Sequence, residues 1–361
     1  MLAILTLMHF AVDGVCAAEL YLYELAEPDW LQVLFVFGLY NAAAFGFQWL
    51  AGLALDLRPA FRPALALSVC LLALGCIGAF GAPLRAGLLG AGNCLFHAAG
   101  GACVLSRHPS TYSEPGIFVS SGAVGLALGL AGMAPSAVFL ALCAVCAGFA
   151  CWGMGRVPAQ IPMSPAEAAP GEPASDEAAL AKTSGGRLVP FLLGGCVLVL
   201  LACVVLRGFG GGGRCPGLPL LFPCVFALGK ACGGLVCDRF GLKATALAVF
   251  LLCFLALQFG GLVPALLLAF AFNMTMPLTL RLAHWCFPKA PGLIFGLAAG
   301  CLLPGYFFKD ALALPPQAMA VLVFLGLFLA GSTLARFGRL PARPARTSAK
   351  ARPNGACGAG E

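Results

Sequence analysis

Gly234-Leu235-Val236-Cys237-Asp238-Arg239-Phe240-Gly241-Leu242-Lys243 closes one apolar run and opens the next, and it has a partial copy upstream, Gly52-Leu53-Ala54-Leu55-Asp56 followed by Arg58. Half the chain separates the two copies. Two further matches keep the same order at nearly the same offset. Asn93 pairs with Asn273, and Pro115-Gly116-Ile117-Phe118 pairs with Pro291-Gly292-Leu293-Ile294-Phe295. Ordered matches at an almost constant spacing predict a duplicated chain with two equivalent halves.

The composition says what surrounds those halves. Of 361 residues, 61% are hydrophobic and only 10% are charged, with a mean hydropathy of +0.97. A soluble fold has too much surface for so few polar side chains, so a soluble enzyme, a nucleic-acid binder and a disordered chain are excluded. A bilayer-spanning helix takes about 20 apolar residues. Apolar runs near 2–22, 31–53, 64–82, 85–106, 115–133, 136–154, 188–206, 218–237, 244–260, 262–280, 291–308 and 315–335 predict twelve such spans. They divide the chain into a first six-helix half (1–154), a polar linker (155–187), a second six-helix half (188–336) and a basic tail (337–361). Pro, Ala and acidic residues give the linker the composition of a flexible connector. Met1 to Ala18 lacks a basic leading segment and carries His9 and Asp13, so it reads as a retained span rather than a signal peptide.

The basic residues fix an orientation. With the N-terminus in the cytoplasm, 16 of the 21 Lys and Arg residues fall on the inside, including Arg58, Arg107, Arg239, Lys243 and Arg281. Four (Arg85, Arg207, Arg214, Lys309) fall outside and Lys230 lies within a span. Both termini are then cytoplasmic, in the plasma (inner) membrane. His108 and His284 read with Arg281 as residues of the inner loops. The 18 Cys are scattered through apolar runs, where Cys serves as a small hydrophobe. The C-x-x-C of Cys143 and Cys146 has no accompanying His, so no metal site is expected.

The segment from Gly234 to Lys243 resembles the loop signature G-x-L-x-D-R-x-G-R/K of the major facilitator superfamily, between its helices 8 and 9. The first copy lacks the second Gly. The resemblance implies an all-α polytopic fold of twelve transmembrane helices in two pseudo-symmetric halves, with a cavity lined by helices 1, 4, 7 and 10. Met8-His9-Phe10-Ala11-Val12-Asp13-Gly14 is similar to the H-F-x-x-D opening of the fosmidomycin-resistance-like efflux branch. Arg85 with Gly90 and Gly92 is similar to the family's R-x-x-x-G motif with one extra residue. The glycines of the fifth span (Gly116, Gly122, Gly125, Gly129, Gly132) are similar to its antiporter motif without the Gly-Pro pair.

Ionisable and amide residues inside spans are the candidates for chemistry, because an intramembrane charge is expensive and rarely faces lipid. Asp13 lies about twelve residues into the first span, near mid-depth at about 1.5 Å per residue, and is the candidate for proton coupling. His9, one turn earlier on the same face, is placed to share that proton. Lys230 stands eight residues before Asp238, with Gln48 at the equivalent place in the first half. Lys230 is suited either to pairing with Asp13 or to holding an anionic group. Asn93 and His97, one turn apart, and Asn273 are expected at the cavity, with helix–helix hydrogen bonding as the other reading. Pro277 occupies the repeat position of His97 and is placed to kink the tenth helix. Gly52, Asp56, Arg58, Gly234, Asp238, Arg239, Gly241 and Lys243 form the gating loops, in which a carboxylate beside a helix N-terminus is favoured by the dipole.

Such duplicated bundles are characteristic of secondary transporters, which bind substrate between their halves near mid-membrane. The expected function is movement of a small organic solute by alternating access, with proton-coupled efflux (antiport) first, following the fosmidomycin-resistance-like opening. Import of an anionic metabolite with protons is the alternative, motivated by Lys230. A non-transporting use of the fold, as lipid flippase, sensor or assembly partner, is a third. There is no phosphate-binding loop, so no ATP is expected. No enzyme activity, cofactor, metal or nucleic-acid partner is expected, the energy source being the proton gradient. The lipid bilayer and a small-molecule substrate are the expected partners of a monomer, the usual state in the family it resembles.

Overall fold

A computed structural model of the chain describes residues 1–107, 109–154, 188–210, 215, 217–312 and 314–340. The linker 155–187, the tail beyond 340 and His108 lie outside the described residues. Every regular element among the described residues is helical, and these elements form twelve rods in chain order. They are α1 (Leu2–Ala26), α2 (Trp30–Leu57), α3 (Phe61–Gly75), α4 (Ala82–Arg107), α5 (Ser113–Leu130) and α6 (Ser136–Met154), then α7 (Leu188–Gly210), α8 (Leu221–Phe240), α9 (Leu242–Ala256), α10 (Leu262–Cys286), α11 (Pro291–Gly300, resumed as Leu302–Leu312) and α12 (Pro316–Arg336).

Nine of the rods are long and apolar enough to cross a bilayer, and α3, α9 and Pro291–Gly305 of α11 are shorter apolar helices. A 15-residue helix covers only about 22 Å, short of the roughly 30 Å hydrocarbon core. Large apolar side chains cover the outside, Phe191 being 78% exposed, while Gln48, Asn93 and Arg281 are fully buried. That inversion is stable only where lipid replaces water, and the chain is a multi-pass membrane protein.

Two span ends that bear on the site run further than the sequence reading. α7 continues past 206 through Arg207 to Gly210, and α10 continues past 280 through Arg281 and His284 to Cys286. Arg207, Arg281 and His284, read as loop residues, are therefore helical and buried. Hydropathy ends a span at its first cation, but here partners inside the bundle take the cation up. Arg207 Nη1 donates to Thr279 Oγ1 at 3.3 Å, and Arg281 Nη1 donates to the Leu105 carbonyl at 2.9 Å. Removing Arg207 and Arg281 from the loops leaves the basic bias of the motif-bearing side in place. Finally, α2 is not one regular helix. Ala42–Gly46 is π-helical, and Asn41 Nδ2 donates back to the Phe37 carbonyl at 2.8 Å just before it. Such bulges often mark functional positions, and this one lies against Gly90 of α4.

Small residues bring the rods together, as in other membrane bundles. Gly125 of α5 lies on the Phe10 carbonyl of α1, and Gly129 on the Gly14 carbonyl. Gly52 of α2 and Gly292 of α11 pack back to back, and Gly234 of α8 packs on Tyr112 and Ser113 at the start of α5. Gly241 sits between α8 and α9 at φ 83°, a conformation that glycine adopts without a Cβ penalty. The first copy has no such glycine and turns from α2 into α3 through Arg58-Pro59-Ala60. We predict that Gly125→Leu, which drives a side chain into the α1 backbone, lowers the melting temperature of the detergent-solubilised protein by several degrees. Gly38→Leu, at an α2 position with nothing within 4 Å, should leave the melting curve unchanged.

Candidate functional site

Helical spacing puts His9 and Asp13 on one face of α1 and Asn93 and His97 on one face of α4, and the two faces meet. His9 Nε2 stands 3.2 Å from Asp13 Oδ2, and the two ring Nε2 atoms of His9 and His97 stand 2.9 Å apart. His97 Nε2 is 3.7 Å from Asp13 Oδ1. Asn93 Nδ2 donates to Asp13 Oδ1 and to Tyr40 Oη, each at 3.1 Å. Both His residues are buried, and the Asp13 side chain is 16% exposed. Gly122 of α5 makes room, because a Cβ there would strike His9 and Asp13.

Donor bookkeeping in this cluster is tight. His9 Nδ1 lies 2.8 Å from the Phe118 carbonyl, and His97 Nδ1 lies 3.0 Å from the Asn93 carbonyl. A carbonyl only accepts, so each Nδ1 carries a hydrogen. With neutral rings, both Nε2 atoms would then be bare lone pairs facing each other at hydrogen-bond distance. A proton between them, balanced by the Asp13 carboxylate, would satisfy both nitrogens. The three ligand atoms lie within 4.8 Å of one another, a spacing a divalent ion could also bridge. Two nitrogens on one tetrahedral zinc, however, stand about 3.3 Å apart at Zn–N distances near 2.0–2.1 Å. The shorter approach fits a shared proton better.

Lys230 of α8 does not pair with Asp13. Its Nζ donates to the Val119 carbonyl at 3.3 Å, one residue along α5 from the carbonyl that holds His9. It remains within electrostatic reach of Asp13 and of Arg207. The other expected cavity residues stay apart from the cluster. Asn273 bonds inside its own helix, to the Ala269 carbonyl at 2.8 Å. Gln48 is fully buried against Gly296 of α11 with neither amide atom partnered. Pro277 packs near Gly116 of α5.

The loop aspartates make a second, symmetric constellation. Asp56 accepts from Gly292 N at 2.9 Å and Leu293 N at 2.8 Å, at the N-terminus of α11. Asp238 accepts from Tyr112 N at 2.7 Å and Ser113 N at 2.9 Å, at the N-terminus of α5. Each carboxylate thus caps a helix of the opposite half, where backbone N–H groups have no intrahelical partner. Arg58, Arg239 and Lys243 are exposed and form no ion pair with these aspartates among the described residues. At the same end, Trp285 Nε1 donates to the Pro109 carbonyl at 2.6 Å, beside the Arg281 bond to Leu105. The described hydrogen bonds between the halves all lie from Lys230 toward this motif-bearing end.

Sequence reasoning missed several contributors. Tyr40 is an aromatic in an apolar run until the fold brings it to Asn93. Arg207 was hidden by its position at a span end. Glu19 of α1 forms a buried ion pair with Arg85 of α4, and Arg85 Nε also donates to the Gly75 carbonyl at 3.1 Å. Glu19 lies within a predicted span, so the rule that picked out Asp13 could have found it.

No family model matches the sequence, and no curated protein sequence matches it. Solved structures do match. A variant of the E. coli fucose:proton symporter FucP superposes with a TM-score of 0.54 at 18% identity, covering 93% of this chain and 98% of that one. A structure of FucP in the outward conformation, described as a major facilitator superfamily transporter, gives the same TM-score and coverage at 15% identity. The chain has the major facilitator fold.

The caps give a local prediction. Asp238→Asn should speed hydrogen–deuterium exchange of the amides of Tyr112 and Ser113 several-fold and leave Gly292 and Leu293 unchanged. Asp56→Asn should do the reverse.

Proposed function

We propose that this protein is a proton-coupled secondary transporter that moves a small organic solute by alternating access, with His9, Asp13 and His97 as the proton site. The observation that carries this reading is the 2.9 Å approach of two ring nitrogens whose Nδ1 atoms are both already committed to carbonyls. The arrangement holds one exchangeable proton with no net charge, deep in the bilayer. Without the proton, two lone pairs face each other and the α1–α4 seam must adjust. Proton occupancy is thereby converted into helix position.

The groups facing this site come from each neighbouring rod. Cys16 lies on α1 itself, Tyr40 on α2, Cys143 on α6 and Lys230 on α8, while α5 presents the Phe118 carbonyl and Gly122. Histidine is the side chain among these whose ordinary titration falls between pH 5 and 8. With the motif-bearing end in the cytoplasm, as the basic residues suggest, the capped state is closed inside and faces outward. In this reading both termini are cytoplasmic and the membrane is the plasma membrane. No ATP, cofactor or catalytic step enters the cycle, and a monomer suffices for it.

Efflux by antiport draws on the sequence opening at His9 to Asp13. Import with protons draws on the nearness of Lys230 to Asp13. Both couplings need the same proton site, which can be tested without knowing the solute. In 15N-histidine-labelled protein, His9 and His97 should each show a protonated Nδ1 and share one Nε2 proton. His97→Gln should abolish the shared signal. In proteoliposomes loaded with pyranine, some member of a panel of sugars and small organic acids should move protons with the wild type. None should do so with Asp13→Asn. Normal proton movement in Asp13→Asn would overturn the assignment.

A further inference from the structure

The two halves repeat their backbone but not their charge. In the first half the buried charges include carboxylates, Asp13 and Glu19, and the latter is paired with Arg85. In the second half the helix interior holds cations: Arg281, which donates to the Leu105 carbonyl at the motif-bearing end, and the pair Lys230 and Arg207. Arg207 is only 4% exposed. Each of the last two is held by a neutral oxygen at 3.3 Å, Lys230 by the Val119 carbonyl and Arg207 by the Thr279 hydroxyl. Neither makes an ion pair among the described side chains. From 188 to 340 the chain has only two carboxylates, Asp238 and Asp310, and Asp238 is committed to the start of α5. An ammonium has three donors and a guanidinium five, so each cation can donate to a further ligand beyond its one described bond, in a medium where burying charge is costly.

The repeat supplies an independent argument. Gln48 occupies the position equivalent to Lys230 and packs its backbone on a glycine of α11, as Lys230 packs its own on Gly116 of α5. A neutral side chain therefore satisfies the packing at this place in the fold, and the charge at 230 has another use. The Lys230 backbone and Pro277 of α10 meet at Gly116, and Arg207 is held by Thr279, two residues beyond Pro277, so both charges bear on one region between α7, α8 and α10.

We propose that Lys230 and Arg207 together hold the anionic group of the transported solute, a small organic acid or phosphate ester. The anion supplies the oxygens that the second half lacks. The site rests on the geometry just described, and its coupling to protons rests on the function proposed above. Asp13 lies within electrostatic reach of Lys230, so a proton on the His9–Asp13–His97 cluster removes negative charge beside the incoming anion. By reciprocity of linked binding, anion affinity rises when the cluster is protonated. Proton and anion then load together, as in symport.

Ligand-induced thermal stabilisation of the purified full-length protein tests this, with lactate, succinate and glycerol phosphate as anionic probes and fucose as the neutral one. At least one anion should raise the melting temperature, more at pH 6 than at pH 8, and fucose should not. A carboxylate-only response identifies an organic-acid site, and a phosphate-only response a phosphate-ester site. Lys230→Gln should weaken the apparent affinity about tenfold or more, as loss of a charge-assisted bond predicts, while Lys230→Arg retains binding. If Lys230→Gln is not recovered as a monodisperse protein, Arg207→Gln carries the same expectation. Stabilisation by fucose alone, no response to any anion, or an unchanged affinity in the folded Gln variant would overturn the anion site. A wild-type anion shift that is equal at both pH values, yet lost in Lys230→Gln, would keep the site and remove the proton coupling.

Discussion

A carboxylate at mid-bilayer is tolerated only with partners, and the cost of leaving Asp13 unpartnered organises the first half of this protein. Its partners come from α1 itself and from α4, and those are in turn held by α2 and α5. Tyr40 fixes Asn93, and the Phe118 carbonyl fixes His9. Four rods are thus tied by one desolvated group. In hydrocarbon there is no water to fall back on, so the network must be complete or the rods must move. The same constraint explains the glycines of α5. A side chain at 122 or 125 would hold the helix away from α1, and the carbonyls that position His9 and Lys230 would leave with it.

The duplication separates what the fold needs from what function needs. The parts that repeat faithfully are mechanical: a glycine letting two rods touch, and an aspartate four residues later capping the helix opposite. Asp56 with α11 and Asp238 with α5 have nearly the same two-bond geometry. The parts that diverge are chemical. Asn93 joins the His9–Asp13–His97 cluster, whereas Asn273 turns back on its own helix. His97 has Pro277 as its mate, and Gln48 has Lys230. The first half carries the interior carboxylates Asp13 and Glu19, and the second the interior cations Lys230, Arg207 and Arg281.

Much of this was legible in the sequence, for physical reasons that also mark where legibility ends. The rods were visible because lipid demands long apolar runs, and the loop aspartates because a repeated motif betrays a repeated contact. Asp13, His9, Asn93 and His97 could be picked out because polar residues in such runs are costly, and helical spacing paired them two by two. That α1 and α4 would bring the pairs together is a tertiary fact with no trace in local spacing. Arg207 and Arg281 were misplaced because hydropathy treats any cation as a span end, whereas a hydroxyl or a carbonyl inside the bundle can hold it. The π-helical turn of α2 was hidden for a related reason. Ala42 to Gly46 read as ordinary helix, and the bulge lies against Gly90 of α4, far away in sequence.

The caps also bear on how the molecule can switch. A carboxylate cap contributes about 1 kcal/mol, and the dipole adds roughly 0.3–1 kcal/mol, so two caps with the bonds of Trp285 and Arg281 hold the motif-bearing end closed by only a few kcal/mol. That is enough to make the closed form dominant, since about 1.4 kcal/mol is a tenfold change in population, and small enough for ligands to reverse. Reversing a 99:1 preference takes about 5.5 kcal/mol of differential binding, within reach of a proton and a charge-paired anion acting together and more than either is suited to supply alone. The His9–Asp13–His97 cluster and Lys230 are anchored on adjacent carbonyls of α5, and the start of that helix is the one Asp238 caps. Occupancy at mid-membrane and closure at the motif end are therefore read by the same rod, and α5 is the element through which the two events can be coupled.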